Sequence, residues 1–259
     1  MPRGDLTELR VIQLSDCHVA ADRSALYRGL QAERNLVGLL PAIRRWRPDL
    51  LLLTGDVSED ASAASYGRVS ALLDSLGAPV LALPGNHDDP AVMRRFFPRG
   101  PWDAPLFHGA RGWQFVLLDS TAPGRIDGVL SRQSLQALKT GLQRSQSQHV
   151  LVVLHHQPVP IGSPWIDRYA LDDPEWLLGL LDRDERVRGV LFGHVHQAIG
   201  MERKHALLLG SPSSVANSLP GREKFTLDIA GPACRWLRLG AGGQIETGIL
   251  HADTTQHRN

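Results

Sequence analysis

The sequence predicts an α/β fold, on three observations. Apolar runs of strand length recur through most of the chain, stretches with helical spacing separate most of them, and the C-terminal part turns to β-rich pieces joined by turn residues.

The strand-like runs fall at residues 9–14, 50–53, 79–83, 115–118, 150–154 and 187–192. Between the first two, Leu30, Leu36, Leu39, Leu40 and Ile43 line one face of a helix that Pro48 prevents from continuing. Tyr66, Val69, Leu72, Leu73 and Leu76 line a second helix, which Gly77 ends. Leu135, Leu138 and Leu142 repeat the spacing after Ser131, an N-cap residue type. Such alternation implies buried sheet covered by helices. The later pieces, at 206–209, 225–228, 234–239 and 244–250, imply an antiparallel sheet completing the same domain, because no polar linker precedes them. The expectation is a single domain over residues 1–250, followed by a flexible polar tail at 251–259.

Composition narrows the function classes. With 28 basic and 27 acidic side chains the formal charge is +1, so nothing in the charge balance favours a polynucleotide partner. The only cysteines, Cys17 and Cys234, exclude a disulfide framework and a paired zinc motif and fit a reducing compartment. No apolar stretch near the first residue reads as a secretory signal, and none elsewhere reaches membrane-spanning length. A soluble cytoplasmic protein is expected.

Five polar clusters carry the chemistry, most of them directly after a strand-like run. Ser15-Asp16-Cys17-His18 offers a carboxylate and an imidazole two residues apart, on one side of the chain if the strand continues. Gly55-Asp56-Val57-Ser58-Glu59-Asp60 begins with a glycine that permits a tight turn exposing Asp56. Pro84-Gly85-Asn86-His87-Asp88-Asp89 pairs an amide oxygen with a histidine suited to proton transfer near neutral pH. His155-His156-Gln157-Pro158 and Gly193-His194-Val195-His196 complete the set. Any one of these is compatible with a loop cap or a structural histidine. Five of them at strand ends, where open α/β sheets bind ligands, point instead to one converging site. Its oxygen- and imidazole-rich inventory suits iron, manganese or zinc better than a calcium loop.

In order and completeness, Asp-x-His, Gly-Asp, Gly-Asn-His-Asp, a separate His and Gly-His-x-His between Asp16 and His196 resemble the calcineurin-like metallophosphoesterase family. That resemblance implies a four-layer sandwich, with two central mixed β-sheets flanked by helices, and two metal ions per chain. It assigns Asp16, His18, Asp56 and His196 to one ion, and Asp56, Asn86, His155 and His194 to the other, so that Asp56 bridges. Iron, manganese or both are expected, with zinc or other divalent ions as alternatives. Within the family the chain is similar to the bacterial class III 3′,5′-cyclic-nucleotide phosphodiesterases. Gly162, Ser163, Trp165 and Asp167 after the fourth cluster, Phe192 to Gln197, and Lys224-Phe225-Thr226-Leu227-Asp228 carry this likeness. Cys17 and Gln157 depart from the familiar form without removing a ligand.

The resemblance implies hydrolysis of cAMP to 5′-AMP, and of cGMP as a second substrate, by a metal-activated bridging water. Catalytic roles fall to Asp56, Asn86 and His87, with His87 protonating the leaving alkoxide, and substrate contacts to Asn86, His87, His196 and Trp165. Asp88 is available to orient His87, although adjacency does not establish that contact. Trp165 either packs its loop or stacks on adenine, and Asp167 reads as a loop cap. A homodimer is suggested by related proteins. The competing readings are a phosphomonoesterase or nucleotide-pyrophosphate phosphodiesterase, a noncatalytic metal-bound scaffold, and a DNA nuclease, the last disfavoured by the absence of a basic run.

Overall fold

The structure, a computed structural model, describes residues 8–252. The chain runs through β1 (Leu9–Leu14), α1 (Ala32–Trp46), β2 (Leu50–Thr54), α2 (Ala63–Asp74), β3 (Val80–Leu83) and the short α3 (Pro90–Met93). It continues through β4 (Leu106–Ala110), β5 (Trp113–Leu117), α4 (Arg132–Arg144), β6 (His149–Leu154), the short α5 (Pro164–Asp167) and α6 (Glu175–Leu181). Last come β7 (Val187–Phe192), β8 (Ile199–Arg203), β9 (Ala206–Gly210), β10 (Ala233–Leu239) and β11 (Ile245–His251).

Two mixed sheets result, in the orders β11-β10-β1-β2-β3 and β4-β5-β6-β7-β9-β8. The period-two alternation of the strands sorts side chains into layers. Leu9, Val11, Leu50, Leu52, Leu81 and Leu83 of the first sheet share a buried cluster with Phe115, Leu117, Leu151, Val153, Leu191 and Leu209 of the second. The sheets therefore pack face to face. The alternate residues Ile12, Leu14, Leu51 and Leu53 face a second cluster with Leu36, Leu39 and Ile43 of α1 and Tyr66, Val69 and Leu73 of α2. On the far side, Val150, Val152, Leu154 and Val190 meet Leu138 and Leu142 of α4 and Leu177 and Leu181 of α6. This is the expected four-layer sandwich.

The helices form largely where spacing places them. Ser131 and Ser62 cap α4 and α2 by accepting from the Ser134 and Ser65 amides. Helix α1 runs through Pro41, which removes one helical hydrogen bond, because its apolar face is anchored by Leu36, Leu39, Leu40 and Ile43 on both sides of that residue.

Three sequence expectations are corrected. The C-terminal strands do not form one antiparallel sheet: β9 lies parallel to β7 in the second sheet, whereas β10 and β11 extend the first beside β1. The stretch 225–228 forms no strand and contributes a single bridge, Ser218 with Leu227. His251, expected to open the tail, ends β11 opposite Ala233, and residues 253–259 lie outside the described residues. Among the described residues no helix is long and apolar enough to cross a membrane.

Candidate metal centre

All five clusters meet at one edge of the sandwich, because the parallel strands of both sheets end there. Asp16 and His18 follow β1, Asp56 follows β2, and Asn86 and His87 follow β3. His155 follows β6, while His194 and His196 follow β7. Backbone bonds extend the β1/β2 pairing past the strand ends: the Asp16 amide donates to Gly55 O at 3.0 Å and the His18 amide to Asp56 O at 2.9 Å. Between the sheets, buried Gln13 donates from Nε2 to Thr54 Oγ1 at 3.1 Å and to Phe192 O at 3.0 Å. The Gly193 amide donates to His155 O at 3.0 Å.

The local backbone is unusual. Asp16, His18, Asp56, His194 and His196 all have positive φ, at 53°, 43°, 49°, 66° and 50°. Each such non-glycine residue costs about 1–3 kcal/mol, and such residues concentrate where function imposes geometry. Asp16 and His18 thus converge through left-handed loop residues rather than through continuation of the strand, correcting the reading from alternation.

Three glycines permit the approach of the loops. A Cβ on Gly85 would overlap Asp56 Oδ1 and the Asp56 backbone N; on Gly55 it would overlap His155 Nδ1, and on Gly193 Ser15 Oγ. Gly85→Ala is expected to destabilise the protein by about 1–3 kcal/mol through overpacking against rigid backbone. Urea unfolding measures this, and unchanged stability counts against the close contact.

The donor atoms form overlapping groups. Asp16, His18 and His196 lie within 4.8 Å of one another, as do Asp16, Asp56 and His155, and likewise His18, Asp56 and His87. Individual approaches are 3.3 Å from His196 Nε2 to Asp16 Oδ1, 3.5 Å from His155 Nε2 to Asp56 Oδ1 and 3.7 Å from His18 Nε2 to Asp56 Oδ2. Second partners fix the histidine orientation. His155 Nδ1 donates to Thr54 O at 2.7 Å and His196 Nδ1 to Ala216 O at 2.6 Å, while His18 Nδ1 donates to Glu59 Oε2 at 2.8 Å. Each leaves Nε2 toward the centre.

This inventory fits metal ions. Asn86 Oδ1, His155 Nε2 and His194 Nε2 are buried and make no hydrogen bond, an arrangement that costs free energy unless a cation takes their lone pairs. Electrostatics agree. Burial by itself raises the Asp56 pKa, but the facing imidazoles of His155, His18 and His87 hold it well below the usual range. Burial pulls the His155 pKa down, yet Asp56 and Asp16 outweigh it and lift the value to about 9. Positive charge is favoured at that nitrogen. His18 and His194 are shifted down, mainly by burial, which favours the neutral ligating form.

His156 also lies beside His155 and His194 within 4.8 Å. Both its nitrogens are engaged, Nδ1 accepting from Ser120 Oγ at 2.8 Å and Nε2 donating to Ile126 O at 3.0 Å, so it supports the site from behind.

The partner of His87 is Glu59, not Asp88. His87 Nδ1 lies 3.2 Å from Glu59 Oε2, the same oxygen that receives His18 Nδ1. Asp88 instead accepts from the Gly85, Val57 and Ser58 amides and from Tyr66 Oη, which locks the loop. Burial raises the Glu59 pKa, but the His18 and His87 hydrogen bonds win and bring it to about 2. Burial lowers that of His87, and Glu59 with Asp56 lift it to about 9. Glu59 was legible as a member of the second cluster, three residues after Asp56, but its partner comes from another loop. Tyr27, stacked on His18 with ring centroids 3.8 Å apart, carried no sequence signal.

Trp165 sits at the rim, its ring 6.3 Å from that of His196. Asp167 caps its loop as expected, accepting from the Ile161, Gly162 and Ser163 amides at 2.8–3.0 Å.

Comparison with known proteins agrees with this geometry. The family model for calcineurin-like phosphoesterases matches residues 9–198. A 3′,5′-cyclic adenosine monophosphate phosphodiesterase of Pseudomonas aeruginosa is 38% identical over 97% of this chain and 93% of its own. A 3′,5′-cyclic-nucleotide phosphodiesterase of a Nostoc species is 32% identical over 93% and 91%. Among solved structures, a dimetal phosphatase from Danio rerio superposes with a TM-score of 0.68 over 95% of this chain and 99% of that one, at 16% identity.

Proposed function

Because the chain belongs to the calcineurin-like phosphoesterase family, we propose that it hydrolyses 3′,5′-cyclic nucleotides, opening cAMP to 5′-AMP and accepting cGMP as a second substrate. The observation that carries the substrate class is the near full-length match to a cAMP phosphodiesterase, 38% identical over 97% of the chain. The converging donors supply the means.

In this reading Asp16, His18, Asp56 and His196 hold one ion, and Asp56, Asn86, His155 and His194 the other, with Asp56 between them. Iron, manganese or both are the proposed ions, zinc or other divalent ions the alternatives. When bound, such a pair neutralises phosphate charge and makes water nucleophilic near neutral pH. The protein's own groups do the rest. Glu59 holds His87 by Nδ1, leaving Nε2 to give a proton to the departing 3′-oxygen. Its carboxylate also favours the protonated form of that imidazole, as an acid requires. The Asn86 amide and the His196 edge orient the phosphate, and Trp165 borders the base. The proposal includes a single domain that extends through β11 to His251, a cytoplasmic location consistent with two free, buried cysteines, and a homodimer.

Chromatography of metal-replete enzyme with cAMP, cGMP, a phosphomonoester and a dinucleotide pyrophosphate tests the reading. The expected result is 5′-AMP from cAMP, abolished by a chelator. Rapid cleavage of another class without cAMP turnover overturns it.

A further inference from the structure

Outside the donor cluster, one arginine sits among aromatic rings rather than in an ion pair. Arg28 is exposed, has positive φ at 50°, and among the described residues faces no carboxylate. Aromatic rings surround it instead. Its guanidinium carbon lies 3.7 Å from the ring centre of Phe225, 5.4 Å from that of Tyr27 and 5.9 Å from that of Trp165, and Nε donates to Tyr27 Oη at 3.2 Å. The rings come from three loops: Tyr27 after β1, Trp165 on α5 after β6, and Phe225 between β9 and β10. All three rings are only partly buried, and each centroid is 6.1–6.3 Å from that of the site residue His196. The collar therefore borders one side of the donor cluster.

We propose that Arg28 and its three rings form the nucleobase subsite, in which the guanidinium plane, backed by the Phe225 face, and the Trp165 ring hold the flat, uncharged base of the substrate. Three features carry this. The collar has π-faces and a delocalised cation but no carboxylate, which suits a purine and disfavours a cationic group. Its planar donors stack and hydrogen-bond to ring acceptors at the same time, as an ammonium cannot. It also adjoins, rather than lines, the donor cluster, as the base adjoins the phosphate in a nucleotide. A purely structural Arg28, covering exposed ring edges, is the competing explanation.

The proposal deepens the nucleotide reading and rests on it, so the test compares a phosphoester that carries a base with one that does not. For Arg28→Ala, KM for cAMP is expected to rise about tenfold with kcat within about twofold, and kcat/KM to fall far less with bis(p-nitrophenyl) phosphate. Arg28→Lys keeps the charge but not the plane and is expected to recover little of the loss. Phe225→Leu is expected to shift the same ratio in the same direction, with melting temperature recorded for each variant. Equal losses on the two substrates, a loss confined to kcat, or full rescue by lysine overturns the subsite. Failure of wild-type enzyme to cleave cAMP overturns the substrate reading instead. The comparison then uses whichever nucleotide the enzyme does cleave, and a preference for substrates without a base overturns the subsite.

Discussion

Asp56→Asn is expected to lower cAMP turnover on the order of 10³-fold or more and to reduce the metal content of the purified protein at both positions. Asp56 is buried and belongs both to a group with Asp16 and His155 and to one with His18 and His87, so it lies beside members of both proposed ligand sets. The change preserves shape and an oxygen to accept the His87 amide, now bonded at 2.9 Å, so the loop fold is expected to survive. It removes a negative charge that two cations would share, and Lewis-acid activation in such centres supplies several kcal/mol of barrier lowering, about a factor of ten for each 1.4 kcal/mol. Elemental analysis beside steady-state rates checks it, with circular dichroism as the folding control. Full occupancy and a near-normal rate would show that Asp56 does not bridge.

His87→Ala is expected to slow cAMP cleavage about 10²–10⁴-fold while slowing bis(p-nitrophenyl) phosphate much less. The ribose 3′-alkoxide is a poor leaving group and needs a proton; nitrophenolate departs without one. Glu59 enters the same prediction as a positioning residue, because one oxygen orients both His87 and His18. Glu59→Gln is expected to cost about 10–100-fold, partly through weaker metal binding at His18, and to compress the difference between the two substrates in the same direction. Metal content must be measured for both variants, since a lost ion mimics a lost acid. Equal slowing of both substrates in fully loaded His87→Ala protein would assign His87 to phosphate positioning instead.

Local regularity explains what was readable in advance. The strands β1, β2, β3, β5, β6 and β7 were legible because a strand buried on both faces is a continuous apolar run. The helices α1, α2 and α4 were legible from apolar spacing and caps. Strand β8, with alternating half-buried and exposed residues from Ile199 to Arg203, gave no such run, and it pairs only because β9 offers an edge. Assignment of β9 to one sheet and β10 to the other was invisible, since each strand satisfies its own pattern equally well beside any partner.

By itself the sequence determined the chemical inventory: which carboxylates, amides and imidazoles follow which strands, and in what order. Those are local facts, set by residue type and position relative to an apolar run. Only the tertiary structure decided which of these groups face one another. Left-handed turns at five of the seven proposed ligands aim them inward, and glycines at 55, 85 and 193 let loops of different strands close to contact. Glu59 passes to His87 and His18, Asp88 passes to the Val57 and Ser58 amides, and Arg28 meets the Phe225 and Trp165 rings. These pairings join residues far apart in the chain, as the 41-residue separation of His18 and Glu59 illustrates. No local pattern encodes such a contact, because it exists only after the hydrophobic faces of two sheets have been driven together and their strand ends share one edge.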